Sequence, residues 1–86
     1  MNYFLYILKS LKDNNHYIGI SNNVSERVKQ HNSGKTKSTK SRRPFKLVYK
    51  EEYNTFEEAR ERENFLKSYS GVSEKREIID NLIIGE

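Results

Sequence analysis

Aromatic and branched residues cluster in three short stretches of the chain, at residues 3–9, 16–21 and 45–53. This composition and the near alternation of apolar and polar positions are typical of β-strands. Residues 11–15 contain Asp and Asn, which accept the backbone angles of tight turns. We therefore predict a hairpin followed by a third strand. Gly19 lies inside the second strand, where a glycine often marks a close approach by another backbone or a ligand.

One short helix and a loop are predicted between the second and third strands. Asn22 or Asn23 can cap a helix over residues 24–32, because its side chain can accept a hydrogen bond from a free backbone N–H of the first turn. Residues 33–44 have no apolar periodicity, so we expect a loop there.

Two further helices are predicted in the last third of the chain. Residues 55–58 have the form of a capping box, and the helix is expected to extend to about Tyr69 and to stop at Gly71. Its apolar stripe consists of Phe56, Ala59, Glu63 and Leu66. Ser73 is expected to cap a last helix. The core residues expected from that helix are Ile78, Ile79 and Leu82.

The predicted order β-β-α-β-α-α indicates an α+β fold, a small three-stranded antiparallel sheet flanked by helices. With 86 residues and no linker or repeat, we expect one domain over residues 1–86. Aromatic residues make up 12% of the chain, which argues against disorder.

Several classes of protein are excluded by composition. The chain has no cysteine, which excludes disulfides and thiolate metal sites and fits the reducing cytoplasm. No apolar run approaches the roughly 18 residues of a membrane span. The N-terminal residues lack the basic segment and cleavage site of a signal peptide. We therefore expect a cytoplasmic protein that does not bind a membrane.

Charge is distributed unevenly along the chain, although the net charge is only +4. Residues 27–46, called the basic block below, contain no Asp or Glu; the bases are Arg27, Lys29, Lys35, Lys37, Lys40, Arg42, Arg43 and Lys46. The remaining residues carry more acids than bases. A solvated flexible loop would account for such a run, but 20 positions without an acid favour binding of a polyanion such as nucleic acid.

Glu63 is unusual because it interrupts the apolar stripe of a predicted helix. A glutamate is almost never fully buried unless it is paired or bound to a metal. Two interpretations stay open at this point. One is structural, a salt bridge to a nearby arginine or a position at the stripe edge that reaches water. The other is a ligand for Mg²⁺, which binds one or two carboxylates and keeps several waters.

Two pairs of residues could serve phosphate chemistry. Arg27 and His31 are four residues apart and therefore share a helix face, where arginine could grip phosphate and histidine could move a proton. Taken alone, each residue is better explained structurally, Arg27 as an exposed helix residue and His31 as a polar C-terminal cap favoured by the helix dipole. Tyr6 and Tyr17 could be packed strand residues, or general bases if cations or a metal lie near them.

Five blocks of sequence, in order along the chain, carry a family resemblance. Phe4-Leu5-Tyr6 and Tyr17-Ile18-Gly19 leave ten residues between the two tyrosines. The other blocks are residues 21–32, residues 33–40 with 43–49, and residues 58–67. Together they resemble the GIY-YIG nuclease superfamily, and specifically its small bacterial UPF0213-type proteins, over nearly the whole chain.

This resemblance implies a role for each candidate catalytic residue. Glu63 would hold one divalent metal, Mg²⁺ or Mn²⁺, and no small-molecule cofactor is implied. Tyr17 would activate the attacking water as general base, and Tyr6 would orient water or the metal shell. Arg27 would stabilise charge on the scissile phosphate, while His31 would assist proton transfer or contact the phosphate.

Substrate contacts are also implied by the resemblance. Gly19 would let the strand lie close to the substrate. The charge of the basic block, rather than the resemblance, leads us to expect that its other residues bind the substrate: Lys29, Lys35, Lys37, Lys40, Arg42 and Arg43. Many family members have a functional asparagine late in the domain. Asn81 is the nearest candidate, but its spacing assigns it no role.

The implied function is a metal-dependent DNA endonuclease that hydrolyses phosphodiester bonds in DNA repair or processing. We expect selectivity for DNA structure rather than sequence, and products with a 5′-phosphate and a 3′-hydroxyl. One alternative is a catalytically inactive module that binds DNA or RNA. Another is a purely structural partner protein, which would leave the basic block unexplained.

Overall fold

A three-stranded antiparallel sheet lies at the centre of the fold. The structure is a computed structural model that describes residues 2–37 and 39–85, and side chains for residues 2–37 and 39–81. Its elements are β1 (Tyr3–Ser10), β2 (His16–Ser21), α1 (Val24–Ser33), a 3₁₀ turn (Lys40–Arg42), β3 (Phe45–Tyr53), α2 (Phe56–Lys67) and α3 (Val72–Gly85). The predicted α+β class and the order β-β-α-β-α-α are confirmed.

The central strand β1 is buried on both faces. The sheet order is β2-β1-β3, so β1 pairs with both other strands, and residues 5–8 are buried. One face packs against α2 through Leu66, and the other packs against α1 through Val24. The edge strand β2 therefore borders both helix layers. No helix within residues 2–37 and 39–85 is long and apolar enough to cross a bilayer.

The β1–β2 turn forms as the Asp and Asn residues predict. Asn14 has a φ of 62°, a left-handed angle that asparagine tolerates. The Ser10 hydroxyl oxygen accepts hydrogen bonds from the backbone N–H groups of Lys12 and Asp13, each at 3.2 Å. The same hydroxyl donates to the Arg42 carbonyl at 2.6 Å. The hairpin turn is thereby attached to the basic block.

The predicted starts of α1 and α2 are confirmed by their caps. The Asn23 side chain accepts from the Glu26 N–H at 3.1 Å, and Thr55 and Glu58 form both halves of a capping box. The end of α2 was predicted too late. The helix ends at Lys67 because Ser68 leaves the helical conformation, with a ψ of 165°.

The predicted start of α3 is also corrected. The helix begins at Val72, so Ser73 lies inside its first turn rather than capping it. Gly71 precedes it, and a Cβ at this position would lie 1.9 Å from the Phe65 carbonyl oxygen. Only glycine fits this approach, which allows residues 68–71 alone to connect α2 with α3.

The predicted helix stripes are correct in part. Ala59 and Leu66 are buried, whereas Phe56 is 41% exposed and packs edge-on against Tyr3, with ring centres 5.6 Å apart. Phe56 is the first residue of α2 and lies over the sheet margin. In α3, Ile78 packs against the core and Ile79 is partly buried. The side chain of Leu82 lies outside the described residues.

Glu51 of β3 is the centre of a polar network that attaches both later helices to the sheet. It accepts hydrogen bonds from the hydroxyls of Tyr49 and Tyr53 at 2.5 and 2.6 Å, and from Arg62 at 2.9 and 3.1 Å. Arg62 also pairs with Glu74 of α3. Burial by itself would raise the pKa of the Glu51 carboxyl, but hydrogen bonds from Arg62 and the tyrosines outweigh it and lower that pKa.

Replacing Arg62 with methionine is expected to lower the free energy of unfolding by about 2 kcal/mol, because Glu51 would remain partly buried without its cation. Arg60→Met on the exposed face of α2 is the matched control and should change stability by less than about 0.5 kcal/mol. Urea unfolding followed by circular dichroism measures both.

This difference should depend on pH in one direction. Because the folded-state pKa of Glu51 lies below its ordinary value of 4.5, its contribution is present above that value. The contribution is lost as the pH falls through the lowered pKa. The gap between the wild type and Arg62→Met should therefore shrink in acid. Equal stability of the two methionine variants at pH 7 would contradict the assignment.

Candidate functional site

Tyr6 occupies the space above Gly19, its partner in the β1–β2 register. A Cβ at position 19 would lie 2.5 Å from the Tyr6 hydroxyl oxygen and 2.6 Å from its Cζ. Since Tyr6 is itself fully packed, a larger residue at position 19 would displace it. Gly19 was expected to admit substrate to the strand. In the structure Gly19 is buried, and the group that approaches it is the Tyr6 phenol.

His31 lies behind Tyr6 and is buried. Its Nε2 is 3.0 Å from the Tyr6 hydroxyl, and its Nδ1 is 2.9 Å from the Thr39 hydroxyl. His31 and Thr39 are both 0% exposed. Burial lowers the pKa of His31, and the nearby charge of Arg27 lowers it further. The resemblance implies that His31 assists proton transfer or contacts the phosphate. In the structure the His31 ring is buried against Tyr6 and is not exposed for a phosphate contact.

Tyr17 and Arg27 complete this side of the cluster. The Tyr17 ring centre is 4.9 Å from that of His31 and 6.4 Å from that of Tyr6. Burial, reinforced by Tyr17, raises the pKa of Tyr6 to about 12, while a hydrogen bond and the charge from Arg27 act against the rise. Arg27 also donates to the Gln30 side chain at 2.8 Å. At neutral pH Tyr6 therefore keeps its proton.

Glu63 approaches the cluster from α2, on the other side of β2. Its carboxylate accepts a hydrogen bond from Lys67 at 3.0 Å, and its side chain is 16% exposed. The Lys67 ammonium lies 5.8 Å from the centre of the Tyr17 ring, and Glu63 also acts electrostatically on Tyr6. The salt bridge that sequence reasoning left open is present, with a lysine one helical turn away rather than with an arginine.

The donor set around Glu63 fits a metal that is shared with a substrate. Among residues 2–37 and 39–85, no three His, Asp or Glu side chains lie close enough together to hold a metal ion. One partly exposed carboxylate can still bind Mg²⁺ or Mn²⁺ when water and phosphate oxygens complete the coordination. Glu63 is the residue that would hold such a metal.

Apart from Arg27, the basic block consists of exposed cations and one partly buried arginine, Arg42. Arg42 pairs with Asp13 of the hairpin turn at 3.3 Å, and its guanidinium carbon lies 5.8 Å from the Phe45 ring centre. The exposed members expected to bind substrate are Lys29, Lys35, Lys37, Lys40 and Arg43. Arg42 therefore has a structural use that its sequence position does not indicate.

Two residues of the cluster were missed by sequence reasoning. Lys67 could have been found, because residues four apart on a helix are neighbours and Glu63 precedes it by four. Thr39 gave no signal, since it lies in a segment without periodicity. Asn81 is exposed on α3.

Comparison with known proteins gives consistent matches. The family model described as the GIY-YIG catalytic domain matches residues 2–76. The UPF0213 protein YazA of Bacillus subtilis is 45% identical, over 77% of this chain and 67% of that protein. The UPF0213 protein SH2523 of Staphylococcus haemolyticus is also 45% identical, over 79% of this chain and 83% of that protein.

A solved structure agrees with these sequence matches. The solution NMR structure of the UPF0213 protein BH0048 from Bacillus halodurans is 37% identical to this chain. It superposes with a TM-score of 0.54 and covers 91% of this chain and 83% of that chain. On this evidence the chain belongs to the GIY-YIG family and is a relative of its small UPF0213 proteins.

Proposed function

We propose that this protein is a metal-dependent DNA endonuclease that hydrolyses phosphodiester bonds. Its membership in a nuclease superfamily supports the reaction class. The observation that carries the proposal is the meeting of Tyr6, Tyr17, Arg27 and Glu63 around the edge strand β2. These residues supply a hydroxyl, a second phenol, a guanidinium and a carboxylate within one small region.

The two tyrosines are proposed to have different roles. Tyr6 is buried and keeps its proton, since its pKa is about 12, so it would orient a water molecule rather than deprotonate it. Tyr17 is the more exposed of the two and lies at the sheet edge, where it would take the proton of the attacking water. His31 would hold Tyr6 in place through the 3.0 Å hydrogen bond.

Charge on the phosphate would be stabilised from two directions. Arg27 is only partly exposed and is oriented by Gln30, so its planar guanidinium is already positioned for a phosphate. Glu63 would bind Mg²⁺ or Mn²⁺, which when bound acts as a Lewis acid on the phosphate and leaving oxygens. Lys67 would have to leave the carboxylate as the metal binds.

The exposed cations of the basic block would hold the nucleic-acid backbone. Contacts from lysine to phosphate carry no sequence information, so selection by DNA structure is the expected mode. We propose that the substrate is DNA, in repair or processing within the cytoplasm. RNA is the alternative polymer, because the same contacts would suit its phosphates.

A specific observation favours the second candidate, an inactive nucleic-acid-binding module. The Lys67 ammonium donates a hydrogen bond to one carboxylate oxygen of Glu63. Glu63 is the carboxylate proposed to hold the metal. If that ion pair is permanent, the basic block would bind nucleic acid without a metal. Metal dependence therefore separates the two candidates.

Nicking of DNA in the presence of Mg²⁺ or Mn²⁺ tests the first candidate. Glu63→Gln should lower the rate by at least about 100-fold while DNA affinity stays within about threefold, because the carboxylate holds the metal and not the DNA. Glu61→Gln, on the exposed face of the same helix, is the matched control and should cleave like the wild type.

The assay should cover plasmid, flap, junction and single-stranded DNA. A wild-type protein that cleaves none of them, and that binds DNA equally well in EDTA, would support the binding module instead. Equal loss of cleavage in both glutamine variants would contradict the role given to Glu63.

The salt dependence of binding tests the basic block. Replacing Lys35 and Lys37 with glutamine should reduce the slope of log affinity against log salt by about two, because two phosphate contacts are lost. Arg60→Gln with Arg76→Gln removes the same charge from exposed positions on α2 and α3. An equal change of slope in both double variants would mean that net charge, not the basic block, determines binding.

A further inference from the structure

A buried chain of hydrogen bonds connects the basic block to the candidate site. It runs from the Tyr6 hydroxyl through both nitrogens of His31 to the Thr39 hydroxyl and the Thr36 carbonyl. We propose that Thr39 is a positioning residue, which holds His31 as the tautomer protonated on Nδ1 and so directs the Tyr6 hydroxyl proton toward His31. Only the catalytic consequence of this inference rests on the proposed function.

The hydrogen bonds of Thr39 support a proton on Nδ1 of His31. A threonine hydroxyl has one hydrogen to donate. The Thr39 hydroxyl lies 3.3 Å from the Thr36 carbonyl oxygen, which can only accept. In the proposed arrangement the hydrogen goes to this carbonyl, so the Thr39 oxygen accepts from His31 Nδ1 at 2.9 Å. Nδ1 therefore carries the proton, and Nε2 of a neutral ring is left as an acceptor.

The Tyr6 end leads to the same assignment. The charge of Arg27 acts on Tyr6, and a guanidinium accepts no hydrogen bond, so the phenolic hydrogen has no acceptor on that side. The phenolic hydrogen is then free to point to His31 Nε2, 3.0 Å away. The same tautomer satisfies the hydrogen bonds at both ends of the chain. A lowered pKa keeps His31 neutral, as the assignment needs.

Through this chain of hydrogen bonds, Thr36 and Thr39 of the basic block become part of the candidate site. Thr39 is buried, although it lies in a segment of exposed lysines. Its backbone N–H also donates to the Thr36 carbonyl at 3.1 Å, which closes a tight turn around that oxygen. With His31 in the other tautomer, Tyr6 would receive a hydrogen bond from Nε2, and its own hydrogen would point toward Arg27. That arrangement would set the phenolic hydrogen against a guanidinium, which accepts no hydrogen bond.

Nitrogen-15 NMR of the histidine rings tests the assignment directly. In the wild type at neutral pH, long-range proton–nitrogen correlations should show His31 protonated on Nδ1 and bare on Nε2. Thr39→Val removes the hydroxyl at nearly constant volume and should shift His31 toward protonation on Nε2. Thr39→Ser should keep the wild-type pattern. Thr36→Val is the control, since it changes a nearby side chain but leaves the accepting carbonyl.

Steady-state kinetics distinguish a positioning role of Thr39 from a purely structural role. Thr39→Val should lower kcat about tenfold with KM within twofold, while Thr39→Ser should retain most of the rate. A wild type protonated on Nε2, or an unchanged tautomer in a folded Thr39→Val, would overturn the proposal. If Thr39→Val does not fold, the wild-type and Thr39→Ser spectra decide. A wild type with the expected tautomer that cleaves no nucleic acid would overturn the proposed function and support the hydrogen-bond assignment.

Discussion

The Tyr6 ring lies across the backbone of Gly19, and the positions of the neighbouring polar groups follow from this contact. Tyr6 belongs to the central strand, so its backbone is held on both sides by hydrogen-bonded neighbours. Its hydroxyl can reach His31 only because the paired position has no side chain. A rigid strand and an absent Cβ thus place a hydroxyl where α1 can supply both a histidine and an arginine.

The edge strand β2 explains how residues from opposite layers come together. α1 packs on one face of the sheet and α2 on the other. Tyr17 lies on β2, within 4.9 Å of the His31 ring and 5.8 Å of the Lys67 ammonium, measured to ring centres. The proposed site is therefore an open edge, which suits a polymeric substrate. The network around Glu51 holds α2 against β3, the edge strand opposite β2. It therefore fixes the position of Glu63, although none of its residues belongs to the proposed site.

Much of the fold could be predicted because local signals agreed with the tertiary structure. The strand at 45–53 and the capping box at 55–58 are determined by side-chain pattern and a few hydrogen bonds between neighbours. The start of α3 was wrong because it depends on the approach of Gly71 to the Phe65 carbonyl, a backbone contact that no side-chain pattern shows. Thr39 was missed for the same reason, since only the folded chain brings it to His31.

Glu63 is proposed to hold a metal beside the tyrosine cluster when nucleic acid is bound. The most direct test is a titration of Mn²⁺ into ¹⁵N-labelled protein bound to an uncleavable phosphorothioate duplex, since the paramagnetic ion broadens nearby amide signals. Signals of Tyr17, Arg27 and Glu63 should broaden first, and Glu63→Gln should abolish the effect. Broadening centred elsewhere, or unchanged in Glu63→Gln, would contradict the account.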